Sequence, residues 1–415
     1  MALPFPHWIT WGVALLATLG ILFRPWRLPE YAWAAGAALL LGVTGLVPWP
    51  AAWAAVAKGT DVYLFLIGMM VLAELARQKG LFDWLAMVAA GHAKGSAPRL
   101  FDLVFGVGTL VTVLLSNDAT AVVLTPAVYA AARAADAEPL PYLFVCAFIA
   151  NAASFVLPIS NPANLVVFGS HMPPLLEWLK HFGLPSLAAI VLTYGVLRFT
   201  QRQHLRTPLT QHFNLQPLNR SARLCAWGIG LTAVLLLTAS ALGWQLGLPT
   251  FCAGMATLLG VQWLERTSPW PVLRHVAWGV LPLVAGLFVL VEGLTLTGLT
   301  TWLAQELATL ARQSPTQAGW LGGVVIGVAS NLINNLPAGL IAGSMNHIAA
   351  LPTQTTAALL IGVDLGPNLS VTGSLATLLW LIAVRREGGH ISAPGFLRVG
   401  ALVMPPALLA ALVLV

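Results

Sequence analysis

The sequence predicts an all-α polytopic membrane protein built from two inverted-topology repeats, each with a re-entrant hairpin and a broken transmembrane helix. Three observations carry this. Only 20 basic and 14 acidic side chains stand among 415 residues, 8% of the chain, against roughly 25% for a soluble domain. Hydrophobic residues make up 58%, more than a globule of this size can hide under a polar surface. The apolar residues come in long runs without alternation, which read as helices, and polar, proline-containing breaks recur inside those runs. This composition excludes a soluble enzyme, a nucleic-acid binder and a disordered protein. The net charge of +6 does not point to nucleic acid, because the basic residues lie in short stretches between apolar runs. A chain this apolar is one integral domain with about ten or more crossings.

Segment 9–23 reads as a first crossing, closed by Arg24, Pro25 and Arg27, and 31–47 as a second. Segment 61–76 is a third, closed by Arg77 and Lys79, and 81–90 is a shorter, interfacial piece. Residues 100–133 form two apolar arms interrupted by Ser116, Asn117 and Asp118, a re-entrant hairpin. Residues 141–170 are one crossing broken by Pro158, Asn161 and Pro162, and 175–197 is another crossing. The second half repeats the series: crossings at 223–243, 249–264 and 277–297, a piece at 300–311, a hairpin at 318–350, a broken crossing at 353–383 and a last helix at 392–415. The first 30 residues do not resemble a cleaved signal peptide, since no positive charge precedes the first apolar run.

The stretch 198–223 carries Arg198, Arg202, Arg206, Arg220 and Arg223 and no acidic residue. Basic loops stay in the cytoplasm. Counting outward from this loop puts every basic cluster on the cytoplasmic face and both chain ends outside, provided each hairpin enters and leaves by one face. The domains follow: 9–197 as first repeat, 198–222 as basic cytoplasmic linker, 223–415 as second repeat. Sequence matches support the pairing. At an offset of 218, Gly68, Glu74, Gly80 and Trp84 fall on Gly286, Glu292, Gly298 and Trp302, and at 217, Asn117-Asp118 falls on Asn334-Asn335. Inverted repeats with interrupted helices mark secondary transporters.

Non-helical backbone is tolerated inside a membrane only where it is buried in protein or lines a polar cavity. Four breaks qualify. They hold Ser116, Asn117, Asp118 and Thr120; Ser160, Asn161 and Asn164; Asn331, Asn334 and Asn335; and Asp364, Asn368, Thr372 and Ser374. Their neutral side chains are candidates to bind substrate as well as to cap freed backbone. Asp118 and Asp364 lie in breaks, where a carboxylate is costly and gaining or losing a proton is the chemistry open to it. Glu292 is a third proton-coupling candidate. Glu74 reads as a partner of Arg77, and Asp61 and Asp102 as helix-start residues. The breaks hold no cluster of arginine or lysine, which suits a neutral polar solute or a cation better than a multiply charged anion. Half-helix dipoles alone could still serve a carboxylate. Cys146, Cys225 and Cys252 lie in apolar runs outside the breaks and read as core residues, and no metal-ligand spacing or cofactor motif occurs. No phosphate-binding Walker loop occurs either, so the energy source is an ion gradient or a separate ATPase subunit.

The stretches LLSNDATAVVLTPAV (114–128), LPISNPANLVVFG (157–169), SNLINNLPAGLIAG (330–343) and IGVDLGPNLSVTGSLATLLWL (361–381) closely resemble the bacterial arsenical pump membrane proteins. These are arsenite and antimonite efflux carriers within the ion-transporter superfamily. The resemblance spans nearly the whole chain. It implies a multi-pass inner-membrane protein that exports trivalent arsenic or antimony as a neutral hydroxide in exchange for protons. It also implies an optional partnership with a soluble arsenical-transport ATPase. The family is often drawn with twelve crossings and both ends inside, which differs from the charge count above. A sodium/proton or other cation antiporter of the same architecture is the alternative reading.

Overall fold

The computed structural model describes residues 5–169, 172–206, 209 and 217–415. In chain order the helices are α1 (Phe5–Phe23), α2 (Glu30–Val43), α3 (Trp49–Lys58), α4 (Thr60–Gln78), α5 (Leu81–His92), α6 (Ala97–Leu114), α7 (Thr125–Ala134), α8 (Leu140–Ala152), α9 (Pro162–Phe168) and α10 (Leu175–Thr200). Then come α11 (Arg220–Ala241), α12 (Gly247–Glu265), α13 (Trp270–His275), α14 (Val280–Leu296), α15 (Leu299–Gln313), α16 (Pro315–Ile333), α17 (Asn335–Ala349), α18 (Thr353–Leu365), α19 (Leu375–Arg386) and α20 (Ala393–Val413). A π-helical stretch, Ala119–Leu124, leads into α7. Among the described residues, six helices are each long and apolar enough to cross a membrane: α6, α10, α11, α12, α16 and α20. Two further pairs bend at short breaks, α3/α4 by 47° and α14/α15 by 73°.

The helices start and stop where local chemistry dictates. Ser96 and Ser314 cap α6 and α16 by accepting from the amides of Arg99 and Gln317, and proline fills the first turn of both. Ser392 caps α20 in the same way. Two short helices lie outside the crossings read from the sequence, α3 and α13. Each opens on a Trp-Pro pair, Trp49-Pro50 and Trp270-Pro271, and proline in the first turn is the shared signal. The basic stretch 198–223 begins inside α10, which runs on to Thr200, and it ends inside α11. Most of its middle lies outside the described residues.

Among the described residues, contacts between α1–α10 and α11–α20 come in matched pairs. α4 packs on α12 and α14 on α2; α9 packs on α17 and α19 on α7; α10 packs on α20. The first two contacts are built on glycine. Along α4/α12, a Cβ on Gly68 would stand 2.3 Å from the Thr250 carbonyl oxygen, and one on Gly254 would stand 2.7 Å from that of Gly68. Along α2/α14, a Cβ on Gly286 would stand 2.6 Å from the Ala34 backbone. Small residues let helices in a membrane approach to backbone contact, where van der Waals packing replaces the missing hydrophobic drive. Both ends of the α4/α12 pair are tied. The Gly247 amide donates to Asp61 Oδ1 at 2.8 Å where both helices begin, and Lys79 pairs with Glu265 where both end. These two helices therefore run parallel. By contrast α4 and α14 run in opposite senses, with Lys58 just ahead of α4 paired to Glu292 at 3.1 Å and Tyr63 stacked edge-on against Phe288.

Of the two acidic residues read as helix-start residues, Asp102 departs from that reading and Asp61 keeps it. Asp102 lies in the second turn of α6 and reaches across to α10, accepting from the Tyr194 hydroxyl at 2.8 Å and lying 3.3 Å from Arg198. Asp61 lies at the start of α4 but caps α12. Glu74 pairs with Arg77 at 2.6 Å, and Gln78 shares the carboxylate.

Candidate functional site

All four polar breaks interrupt helices, and the fold brings them together. In the first hairpin α6 stops at Leu114. The Ser116 hydroxyl accepts from the Ala119 amide at 3.2 Å and the Asn117 side chain from the Asp118 amide at 2.9 Å. Thr120 shares a bond of 2.8 Å with Thr112 inside the hairpin. The next residues take the π-helical form, a local widening that recurs at functional sites. Ser116, Asn117 and Thr120 are buried. Asp118 is half-buried, and among the described residues its carboxylate has no hydrogen-bond or ion-pair partner.

The first broken crossing leaves helical geometry after Ala152 and resumes at Pro162. Asn161 caps the resumed helix by accepting from the Ala163 amide at 3.0 Å. Asn164 donates to the carbonyls of Ser154, Leu157 and Pro158 at 3.0–3.3 Å. It thereby satisfies backbone oxygens that the break sets free, which buried backbone requires. Ser160 ties the break to the hairpin, its hydroxyl donating to the Val113 carbonyl at 3.0 Å.

In the second half the hairpin turns at Asn334, whose φ of +74° lies in the region most side chains avoid. Asn331 anchors this turn. Its amide nitrogen donates to the carbonyls of Gly327 and Gly366, both at 2.9 Å, and its oxygen accepts from the Ser370 amide and hydroxyl. Asn334 donates to the Thr372 carbonyl, and the Thr372 hydroxyl donates back to that of Asn331. Ser374 caps α19 through the Thr377 amide.

The same main-chain bond joins hairpin to break in both halves. The Asn117 amide donates to the Ser160 carbonyl at 3.1 Å, and the Asn335 amide to the Gly373 carbonyl at 2.8 Å. Four helix starts thus gather in two adjacent pairs: the second arms of the hairpins with α9, and with α19. Each start carries partial positive charge from its unpaired amides.

Across the halves, Asn161 donates to Asp364 Oδ1 at 2.8 Å, while Asp364 Oδ2 is buried without a partner among the described residues. Asn151 donates to Asn368 at 3.0 Å and to Thr377 at 3.3 Å, and Asn368 donates to the Phe148 carbonyl. No cationic side chain is bonded to either carboxylate among the described residues. Asn151, Ser154 and Thr377 were not among the residues singled out from the sequence. The available signal is two polar residues, Asn151 and Ser154, at the end of an otherwise apolar run just before a proline break. Glu292 does not join this network; its partner is Lys58. The cysteines also stand apart, in α8, α11 and α12.

The arrangement can hold a small polar solute against amide, hydroxyl and carboxylate groups, and it can take up a proton. Comparison with known proteins places it. The sequence model of CitMHS, described as a citrate transporter, matches residues 14–363. The chain belongs to this family. An arsenical pump membrane protein of Yersinia enterocolitica is 29% identical over 391 residues, 90% of this chain and 89% of the relative. That of Escherichia coli strain K12 is 29% identical over 418 residues, 96% and 95%. Two solved structures share the fold: the Alcanivorax borkumensis YdaH transporter (17% identical, TM-score 0.58, covering 99% of this chain and 97% of that one) and Neisseria gonorrhoeae MtrF (12%, 0.53, 99% and 94%). The family member described here is a multi-pass transporter of the inner membrane.

Proposed function

We propose that this family member is a secondary efflux carrier that moves arsenite or antimonite, as the neutral trihydroxide, outward in exchange for protons. Its two halves act as inverted repeats, the site lies between their breaks, and one bundle of hairpin and broken helix shifts against the glycine-packed scaffold. The observation that carries the reading is the chemistry of the breaks: Asp364 bonded by a neutral amide, Asp118 at the hairpin tip, and, among the described residues, no cationic side chain bonded to either. A neutral polyhydroxide can donate to such groups, and the proton can ride on Asp118 or Asp364. The relatives whose names are arsenical pumps support the choice of solute. The antiparallel passage of α4 and α14 supports inversion.

A second reading, a carboxylate carrier, is favoured by the family's description and by the four helix starts that gather at the site, since such starts attract anions.

The test is uptake of arsenite into everted membrane vesicles in sodium-free buffer, with a proton gradient imposed and then collapsed by an uncoupler. Uptake that vanishes with the gradient is expected. Gradient-driven citrate uptake without arsenite uptake overturns the reading in favour of the second. Sodium-dependent cation flux without metalloid points to a cation antiporter. Uptake only when a soluble ATPase is added overturns gradient coupling.

A further inference from the structure

Asn151 and Asp364 occupy the same station in their halves. Each is the last residue but one of the helix that leads into a break, α8 and α18. Each is buried, at 1% and 0% exposure. Each reaches into the other half: Asn151 to Asn368 and Thr377, Asp364 to Asn161. Each keeps one side-chain oxygen, Asn151 Oδ1 and Asp364 Oδ2, without a partner among the described residues. Ser154, three residues on from Asn151, donates its hydroxyl to the Asn151 carbonyl at 2.8 Å. Around them the bonded groups are amides, hydroxyls and carbonyls, with no charged side chain among them.

We propose that residues 151 and 364 form one acid position shared between the two broken crossings, with Asn151 as its neutral member, so that coupling survives when the carboxylate is moved from one half to the other. The inference rests on the proton-exchange reading above. The chemistry of the surroundings permits the move. Asparagine and aspartate have the same shape. A carboxylate at 151 can accept from the Thr377 hydroxyl once it turns from Ser374, at 3.5 Å, and from the Asn368 amide once it flips away from the Phe148 carbonyl. An amide at 364 keeps an oxygen to accept from Asn161.

The test compares wild type, Asp364→Asn, Asn151→Asp and the double variant in everted vesicles, reading arsenite uptake and the protons moved per arsenite with a pH dye. Gel filtration in detergent reports folding. Asp364→Asn is expected to cut uptake about tenfold or more, and the double variant to recover most of it with the wild-type proton count. If Asp364→Asn exports as wild type does, the proton role of Asp364 fails and the proposal with it. If Asp364→Asn is inactive and the double variant is folded but also inactive, the equivalence is overturned while the proton role stands. A double variant that fails to fold when both singles fold overturns the equivalence too.

Discussion

The two hairpin tips use the same backbone frame and finish it differently. The second tip is bound to its break by side chains: Asn331 to Gly366 and Ser370, Asn334 to Thr372, and Thr372 back to Asn331. The first tip has the shared main-chain bond and one hydroxyl, Ser160 to Val113. It also has a π-helical stretch and a carboxylate with no partner among the described residues. Hydrogen bonds between buried polar groups fix geometry, because losing one partner strands the other. The second tip is thus the fixed member of the site and the first the adjustable one. The less tied of the two tips carries a carboxylate, Asp118.

Three experiments bear on this contrast. The largest effect is expected from Asn331→Ala, which strands the Gly366 carbonyl and the Ser370 amide; the melting of the purified protein should show a loss of about 2–4 kcal/mol. Ser160→Ala, the corresponding cut at the first tip, should cost about 1 kcal/mol, and equal losses would remove the contrast. Next, Asp118→Asn should leave melting unchanged within about 0.5 kcal/mol yet stop or uncouple arsenite uptake in everted vesicles. Normal gradient-driven uptake would sink Asp118 as the essential proton carrier. The smallest effect is expected from Glu292→Gln. Its partner Lys58 is 60% exposed, so the pair contributes less than about 1 kcal/mol, and uptake should stay at wild-type level. A transport defect there would extend the site well beyond the breaks.

The breaks were legible because proline, asparagine and serine inside an apolar run have few other places to be. The hairpin tips at Ser116–Asp118 and Asn334, and the interruptions before Pro162 and Ser374, stand where the sequence put them. What a side chain does inside a break was less legible. Asn164 reads equally as a substrate ligand or a backbone cap, and its bonds to three carbonyls give it the second task in this structure. Asn151 escaped notice because one amide in an apolar run has no period and no partner nearby in sequence; its partners lie more than two hundred residues away. Distance along the chain also hid Lys58 from Glu292 and Gly247 from Asp61. The short helices α3 and α13 were missed because a single Trp-Pro start carries little weight by itself. Matched residues are the sequence's ground for proposing a repeat.

The glycine contacts also govern the order in which the molecule can be made. Gly68 of α4 waits for Thr250, and Ala34 of α2 waits for Gly286, so neither half has its own partner for these faces. While the ribosome is still making the second half, the first lies in the lipid with two bare stripes of small residues. It cannot close on itself into a finished carrier. The scaffold comes into being late, when α12 and α14 arrive, and until then the first half has only its own contacts, such as α1 on α2 and α5 on α6 and α7. Quality control in the membrane therefore has a defined target: a chain stalled before α12 displays the Gly68 face of α4, and one stalled before α14 the Ala34 face of α2, both buried in the completed protein.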